Sequence, residues 1–203
     1  SIRTFRKSDD PYNIDLSDNV IASVFEDDED RLWIGTWGKG LNILDRETEE
    51  VSYYLAESGG KWHIPENHVH VIFKDSQSRI WIGTRNGVSI LDTRLSRFVP
   101  VGEFFHSNDF DYFRNNRVYC MIEDSRGDFW FGTGNGICLL DPSEKRTRII
   151  GNDIDSALAV SSNLVYSLLE DRDQYIWIAT SNGLDQYVPA GNSMHHYVNI
   201  PGA

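Results

Sequence analysis

Little in this 203-residue chain commits it to a membrane, a nucleic acid or a disulfide framework. No apolar run approaches the roughly 18 residues of a membrane span, and no charged-then-apolar leader opens the chain, so the targeting segment of an exported protein would lie outside it. Basic residues are scarce: 19 Lys and Arg stand against 31 Asp and Glu, a formal charge of −12. Binding to nucleic acid rests largely on neutralising phosphates, which makes nucleic acid and anionic membrane surfaces poor partners for this composition. The only cysteines are Cys120 and Cys138. The pattern below puts them on the first and third strands of one sheet, too far apart for easy bridging, so a disulfide is the less favoured reading and two buried thiols the expected one. Helical periodicity is missing over any long window. Hydrophobic content of 40% is nonetheless ordinary for a globular domain.

What is present is a repeat. Asp-Arg-Leu-Trp-Ile-Gly-Thr around Trp33 returns as Ser-Arg-Ile-Trp-Ile-Gly-Thr at Trp81, Gly-Asp-Phe-Trp-Phe-Gly-Thr at Trp130 and Gln-Tyr-Ile-Trp-Ile-Ala-Thr at Trp177, at spacings of 48, 49 and 47 residues. Six residues before each tryptophan stands an aspartate (Asp27, Asp75, Asp124, Asp171), and eight before each aspartate an asparagine (Asn19, Asn67, Asn116, Asn163). A threonine (Thr36, Thr84, Thr133, Thr180) and a glycine (Gly40, Gly87, Gly136, Gly183) follow, then an apolar segment that closes on Asp45, Asp92 or Asp141 but degrades to Leu184-Asp-Gln-Tyr187 in the last copy.

Each copy parses into short Val-, Ile-, Leu- and aromatic-rich segments separated by polar turns, the signature of strands in hairpins. In the first copy these are 20–25, 32–36, 41–44 and 51–55. Asn86-Gly87, Asn135-Gly136 and Asn182-Gly183 supply residues tolerant of positive φ between strands two and three. The first copy is longer there by one residue, with Trp37-Gly-Lys-Gly40. The repeat aspartate is placed to begin the turn between strands one and two, its carboxylate bonding amides just ahead. Four antiparallel strands in about 48 residues make a β-propeller blade, and the repeated tryptophans then belong to the core between blades.

The resulting organisation is all-β: an outer strand of a preceding blade and a linker in 1–16, then blades at 17–58, 59–101, 102–150 and 151–203. Phe5, Tyr53 and Ile149 each lie fourteen residues before a repeat asparagine, so 2–6 takes the place of an outermost strand, and 194–198 takes it in the last blade. Five outer strands against four of every other kind predict a segment of a larger propeller, with open faces covered by neighbouring blades or a second copy of the chain.

Asn-x-Val, Glu-Asp, a short turn, Leu-Trp-Ile-Gly-Thr, Asn-Gly-Leu and a closing Asp together resemble the two component regulator propeller repeat, best at 116–141. The departures are Lys74 in place of an acid, Ala179 in place of glycine and the degraded end of the fourth copy. The resemblance implies a periplasmic sensor region of a membrane-anchored histidine kinase or diguanylate cyclase receptor, commonly one for oligosaccharides, with no cofactor. Asp124 to Trp130 also resembles a sialidase Asp box, itself a structural turn.

The turns between strands two and three and the loops joining blades share one face. Trp37 and Trp62 break the repeat there, and Lys39, His63, His68, His70 and Arg85, with Tyr12 and Asn67, offer hydrogen bonds to a polar ligand. Ligand binding is therefore expected at Trp37, Lys39, Trp62, His63 and Arg85; the competing reading has each aromatic packing over its own loop. The histidines match no zinc spacing, and the acidic run 26–30 and Asp153 with Asp155 complete no calcium loop. His195 and His196 read as tail. The insertion 102–115, with Phe104, Phe105, Phe110, Tyr112 and Phe113, is expected to cap the core. No off-repeat carboxylate, His or Ser is marked out for catalysis, which leaves a non-catalytic sensor or, as the alternative, an interaction scaffold.

Overall fold

The computed structural model describes residues 5, 16–56, 64, 66–95, 97–106, 108–113, 116–152 and 157–197. Sixteen strands among them form four antiparallel sheets, each with its four strands side by side in chain order, as blades of a propeller. They lie in two compact units, Ser1–Phe104 and Phe105–Ala203.

In the first unit, blade 1 is β1 (Ile21–Glu26), β2 (Arg31–Thr36), β3 (Leu41–Asp45) and β4 (Val51–Tyr54). Blade 2 is β5 (Val69–Lys74), β6 (Ile80–Thr84), β7 (Gly87–Asp92) and β8 (Arg97–Pro100). In the second unit, blade 3 is β9 (Val118–Glu123), β10 (Phe129–Thr133), β11 (Gly136–Asp141) and β12 (Arg146–Ile150). Blade 4 is β13 (Val165–Glu170), β14 (Ile176–Thr180), β15 (Gly183–Val188) and β16 (Ser193–Tyr197).

The repeat aspartate explains where each chain turns. Its Oδ1 accepts two amides, from Glu29 and Arg31, Gln77 and Arg79, Arg126 and Asp128, or Asp173 and Tyr175, all at 2.8–3.0 Å. The other oxygen does what the sequence did not suggest: it accepts the indole N–H of the repeat tryptophan, at 2.7, 2.8, 2.9 and 2.6 Å in the four blades. A buried indole N–H needs a partner, so one carboxylate closes the turn and anchors the ring. The residue three past the aspartate takes a left-handed conformation, which Gly127 does without strain and Asp30, Ser78 and Gln174 do as well.

The hairpin at the other end runs differently from the expectation. Of each Asn-Gly pair only the glycine has positive φ, for example +95° at Gly136. The threonine holds the turn: Thr133 Oγ1 donates to the Gly136 carbonyl at 2.7 Å and accepts the Asn135 amide at 2.9 Å, with the same pairs in blades 2 and 4. A Cβ on Gly136 would come within 2.4 Å of the Ile150 carbonyl, so no side chain fits there.

Within each unit the repeat asparagine clips one blade to the next. Asn67 accepts the Ala56 amide on Oδ1 (2.8 Å) and the Gly40 amide on its carbonyl (2.9 Å); Asn163 takes Asn152 and Gly136 likewise. Trp33 is buried by Val69, Ile72, Ile80, Ile82 and Phe98, and Trp130 by Val165, Leu168, Ile176, Ile178 and Tyr187, which is the expected core between blades. Trp177 departs from it, being only half-buried. The departing Lys74 donates to Asp28 of blade 1, and Ser125 and Glu170 make the corresponding latch in the second unit at 2.6 and 2.8 Å.

The insertion is not irregular: it holds α1 (Val101–Phe105) and a 3-10 turn at Asn108–Phe113. In the second unit Phe105, Phe110 and Phe113 stack in series and Phe113 meets Phe131 edge-on at 4.8 Å, a cap on blade 3. His195 and His196 belong to β16 and not to a tail, because their backbones pair with Gln186 and Asp185. Neither cysteine forms a disulfide; burial pushes the Cys120 thiol up to about 12 and the Cys138 thiol higher still, so both stay protonated. Of the expected strand 2–6 only Phe5 is described, against the Leu16, Ile34 and Leu44 cluster.

Candidate functional site

Strands alternate direction, so each blade entry and the turn between its second and third strands share one end. A backbone bond joins them in every blade: the amides of Trp37, Arg85, Gly134 and Ser181 donate to the carbonyls of Val20, His68, Arg117 and Leu164 at 3.0–3.1 Å. Immediately inside, every first strand carries a β-bulge at the same register. Ala22, His70, Tyr119 and Tyr166 are the extra residues, since pairing skips from 21 to 23, 69 to 71, 118 to 120 and 165 to 167. A bulge re-aims the side chain it carries, and bulges recur beside functional sites.

In the first unit Trp37 bridges in β fashion to His68, and its ring lies 4.7 Å from that of His70, with 48% of the residue still exposed. It therefore packs on the neighbouring blade and not only over its own turn. Gly38 stands against the imidazole of His68, where a Cβ would be 3.3 Å from Nε2. Glu66 orients His68, accepting its amide at 2.9 Å and lying 2.7 Å from its Nδ1. Lys39, whose amide donates to Thr36 Oγ1, and Arg85 are both exposed on this rim. The structure thus gathers Trp37, His68 and His70 and sets Lys39 and Arg85 along the same edge. Trp62, His63 and Tyr12, like Asp153 and Asp155, lie outside the described residues. Asn67 is committed to the interblade clip.

In the second unit Tyr112 of the insertion covers the corresponding turn, its hydroxyl donating to the Asn135 carbonyl at 2.7 Å and lying 3.1 Å from Thr133 Oγ1. Burial pushes that phenol up, away from ionisation. The rim residues that the sequence reading missed are Arg117, Tyr119 and Tyr166. They stand one or three places after a repeat asparagine, where the other copies carry Val20, His68 and Leu164, or Ala22 and His70.

The opposite ends are polar turns. The acidic run 26–30 is tied up by Arg31 and Arg46, which reach Asp27, Glu29 and Asp30 at 2.7–2.9 Å, and by Lys74. A cavity of about 400 Å³ beside blade 2 is lined by Arg79, Ile80, Leu91, Asp92, Arg94 and Phe104, with Arg94 already paired to Asp92 at 2.9 Å. In blade 4 Ser161 and the buried Asp185 converge on His196, but both contact Nδ1, at 3.2 and 2.8 Å. A nucleophile and its orienting acid need opposite ring nitrogens. This set instead fastens the entry loop to β15 and β16, as Asn42 fastens Ser17 in blade 1. Among the described residues no group of three or more His, Cys, Asp or Glu is arranged to hold a metal ion.

A family model for the two component regulator propeller matches residues 15–38, 63–86, 112–135 and 159–182, once in each blade. Among solved structures, the chain is similar to the extracellular domain of a hybrid two component system from B. thetaiotaomicron (20% identity, TM-score 0.74, covering 95% of this chain and 26% of that one). It is also similar to the extracellular domain of a one component system from the same organism (18%, TM-score 0.71, 89% and 25%) and to virginiamycin B lyase from Staphylococcus aureus (13%, TM-score 0.59, 90% and 56%). The chain therefore spans about a quarter of the first two and about half of the third, and at these identities the likeness is one of fold. No curated protein matches it.

Proposed function

This chain belongs to the two component regulator propeller family, and on that premise we propose that it is a non-catalytic, extracytoplasmic ligand-sensing module of a signalling receptor, responsive to an oligosaccharide or similar polar molecule. The observation that carries the reading is Trp37: a large indole on the hairpin rim, half in solvent, set against two histidines of the neighbouring blade with Lys39 and Arg85 alongside. An exposed tryptophan where the other copies carry Arg85, Gly134 and Ser181 offers a flat apolar face, and the basic groups around it offer hydrogen-bond donors to hydroxyls. The extracellular placement of the two Bacteroides domains supports the location. No helix among the described residues is long and apolar enough to cross a membrane.

A ligand that touches Trp37 and His68 together would bridge two blades, and its binding energy would add to their packing. Stabilisation follows RT ln(1 + [L]/Kd), about 2.7 kcal/mol at a hundredfold excess over Kd. Calorimetry and thermal shift of the 203-residue chain against malto-, cello-, xylo- and galacturono-hexasaccharides test this. At least one is expected to bind and raise the melting temperature, and Trp37→Ala to weaken it tenfold or more with the fold intact. Failure of every hexasaccharide to bind the folded chain would falsify the reading.

A further inference from the structure

In blades 1, 3 and 4 the rim turn and the bulge are reciprocal in size. Where the turn residue is the large Trp37, the bulge residue is the small Ala22. Where the bulge carries Tyr119 or Tyr166, the turn residue is Gly134 or Ser181, and where it carries His70 the turn has the non-aromatic Arg85. Each pair of positions thus holds one ring, from the turn in blade 1 and from the bulge in the others, with that of His70 buried. The repeat framework around them does not vary in kind: a threonine oxygen holds each turn and an Asp–Trp bond anchors each sheet. Packing of the framework demands none of this variation.

The second unit carries the pattern furthest. Tyr119 and Tyr166 come from adjacent first strands, with ring centroids 6.1 Å apart at 64°. They form a corner of two walls, and 52% of Tyr166 is exposed. Gly134 lies below the first wall, where a Cβ would be 3.8 Å from Tyr119 Cε2, so no turn side chain covers that ring. Arg117 donates to the Tyr119 hydroxyl at 3.2 Å and sets its guanidinium 5.7 Å from the ring centroid. A guanidinium carries more N–H donors than that one bond uses. Tyrosine and arginine at an edge held by rigid strands make a surface for a ring that is apolar on its face and polar at its rim, as a pyranose is.

We propose that Tyr119, Tyr166 and Arg117 form a second ligand platform, distinct from Trp37, which takes a pyranose unit against the two tyrosine walls with Arg117 bonding its hydroxyls. This rests on the sensing reading above and adds to it the residues and the sugar-ring chemistry of the second unit. The same four hexasaccharides, followed by calorimetry and saturation-transfer NMR on the 203-residue chain, provide the test. Tyr166→Ala, at an exposed position, is expected to weaken the bound hexasaccharide at least tenfold while the melting temperature without sugar stays within a degree or two. Tyr166→Trp keeps a wall and should retain binding; Arg117→Ala should weaken it severalfold, with Tyr119 tested as Tyr119→Leu to preserve burial. Hexasaccharide binding within twofold of the native chain in Tyr166→Ala and Tyr119→Leu overturns the platform and leaves the sensing proposal standing. A loss of melting temperature without a change in affinity also overturns it, since the tyrosines then serve packing alone. No binding by the native chain removes both readings.

Discussion

Blades 3 and 4 are built from the same local devices, yet Trp130 is fully buried and Trp177 is half-exposed. Both indoles donate to their aspartate, at 2.9 and 2.6 Å, and both threonines hold their turns. The difference is what lies over the ring. Trp130 sits under Val165, Ile176, Ile178 and Tyr187 of the next sheet, whereas Trp177 has Tyr197 of its own sheet 5.7 Å away, and Tyr197 is itself exposed. The glycine beside the tryptophan follows the same logic. A Cβ on Gly132 would lie 2.4 Å from Cys120 Sγ of its own sheet and 2.7 Å from a Val165 methyl of the next, and one on Gly35 in the first unit 2.7 Å from the Val69 carbonyl. Ala179 occupies the same register in blade 4 and is not buried. At Gly35 the glycine is thus a consequence of the neighbouring blade and at Gly132 of that blade together with Cys120, while the Asp–Trp bond belongs to the blade itself.

The largest expected effect is from removing the covered ring. Trp130→Ala deletes a fully buried side chain and an indole donor to Asp124, and should cost about 3–5 kcal/mol in urea unfolding. Trp177→Ala should cost less than half of that; equal losses would show that the two rings are equally covered in solution. Next comes the glycine. Gly132→Ala should destabilise by about 1–3 kcal/mol through overpacking against Cys120 and Val165, whereas Ala179→Gly should lose only about 0.5–1 kcal/mol of backbone entropy. A neutral Gly132→Ala would mean that neither Cys120 nor Val165 lies this close to the β10 backbone.

The smallest effect is electrostatic. The Trp177 indole donor, then the Tyr175 and Asp173 amides, hold Asp171 below the ordinary carboxylate range despite some burial. At Asp27 burial pushes the carboxyl up, but the Trp33 indole with the Arg31 and Glu29 groups outweighs it and leaves the value lowered. Folded values below the unfolded one make these groups stabilising above roughly pH 4, with the contribution lost as pH falls further. Melting temperatures should hold from pH 7 to about 5 and fall below about 4. Asp171→Asn should lower stability at neutral pH and flatten the acid limb; an unchanged limb would exclude this carboxylate as a source.

Much of the fold was legible because its signals are local and repeated four times. An aspartate six residues before a tryptophan closes a turn in all four copies, and short strands joined by tight turns pair most readily with their neighbours in sequence. The site was half legible. Trp37 stood out by breaking the repeat, but its contact with His70 was not readable, because it crosses from one blade to the next over a bulge that no composition marks. Tyr119 and Tyr166 went unread for the opposite reason: tyrosine suits a strand, so nothing local distinguished a wall of the rim from an ordinary strand residue.

By itself the sequence determined the four repeats of this chain, the strands of each and the turn that each repeat aspartate closes, since all of these are settled within one copy of the repeat. Only the tertiary structure decided which tryptophan is covered, why glycine and not alanine stands at 35, and which rings face solvent on the rim. Those are contacts between copies, where a displacement of one residue by a bulge changes the direction of a side chain without changing the pattern that encodes it.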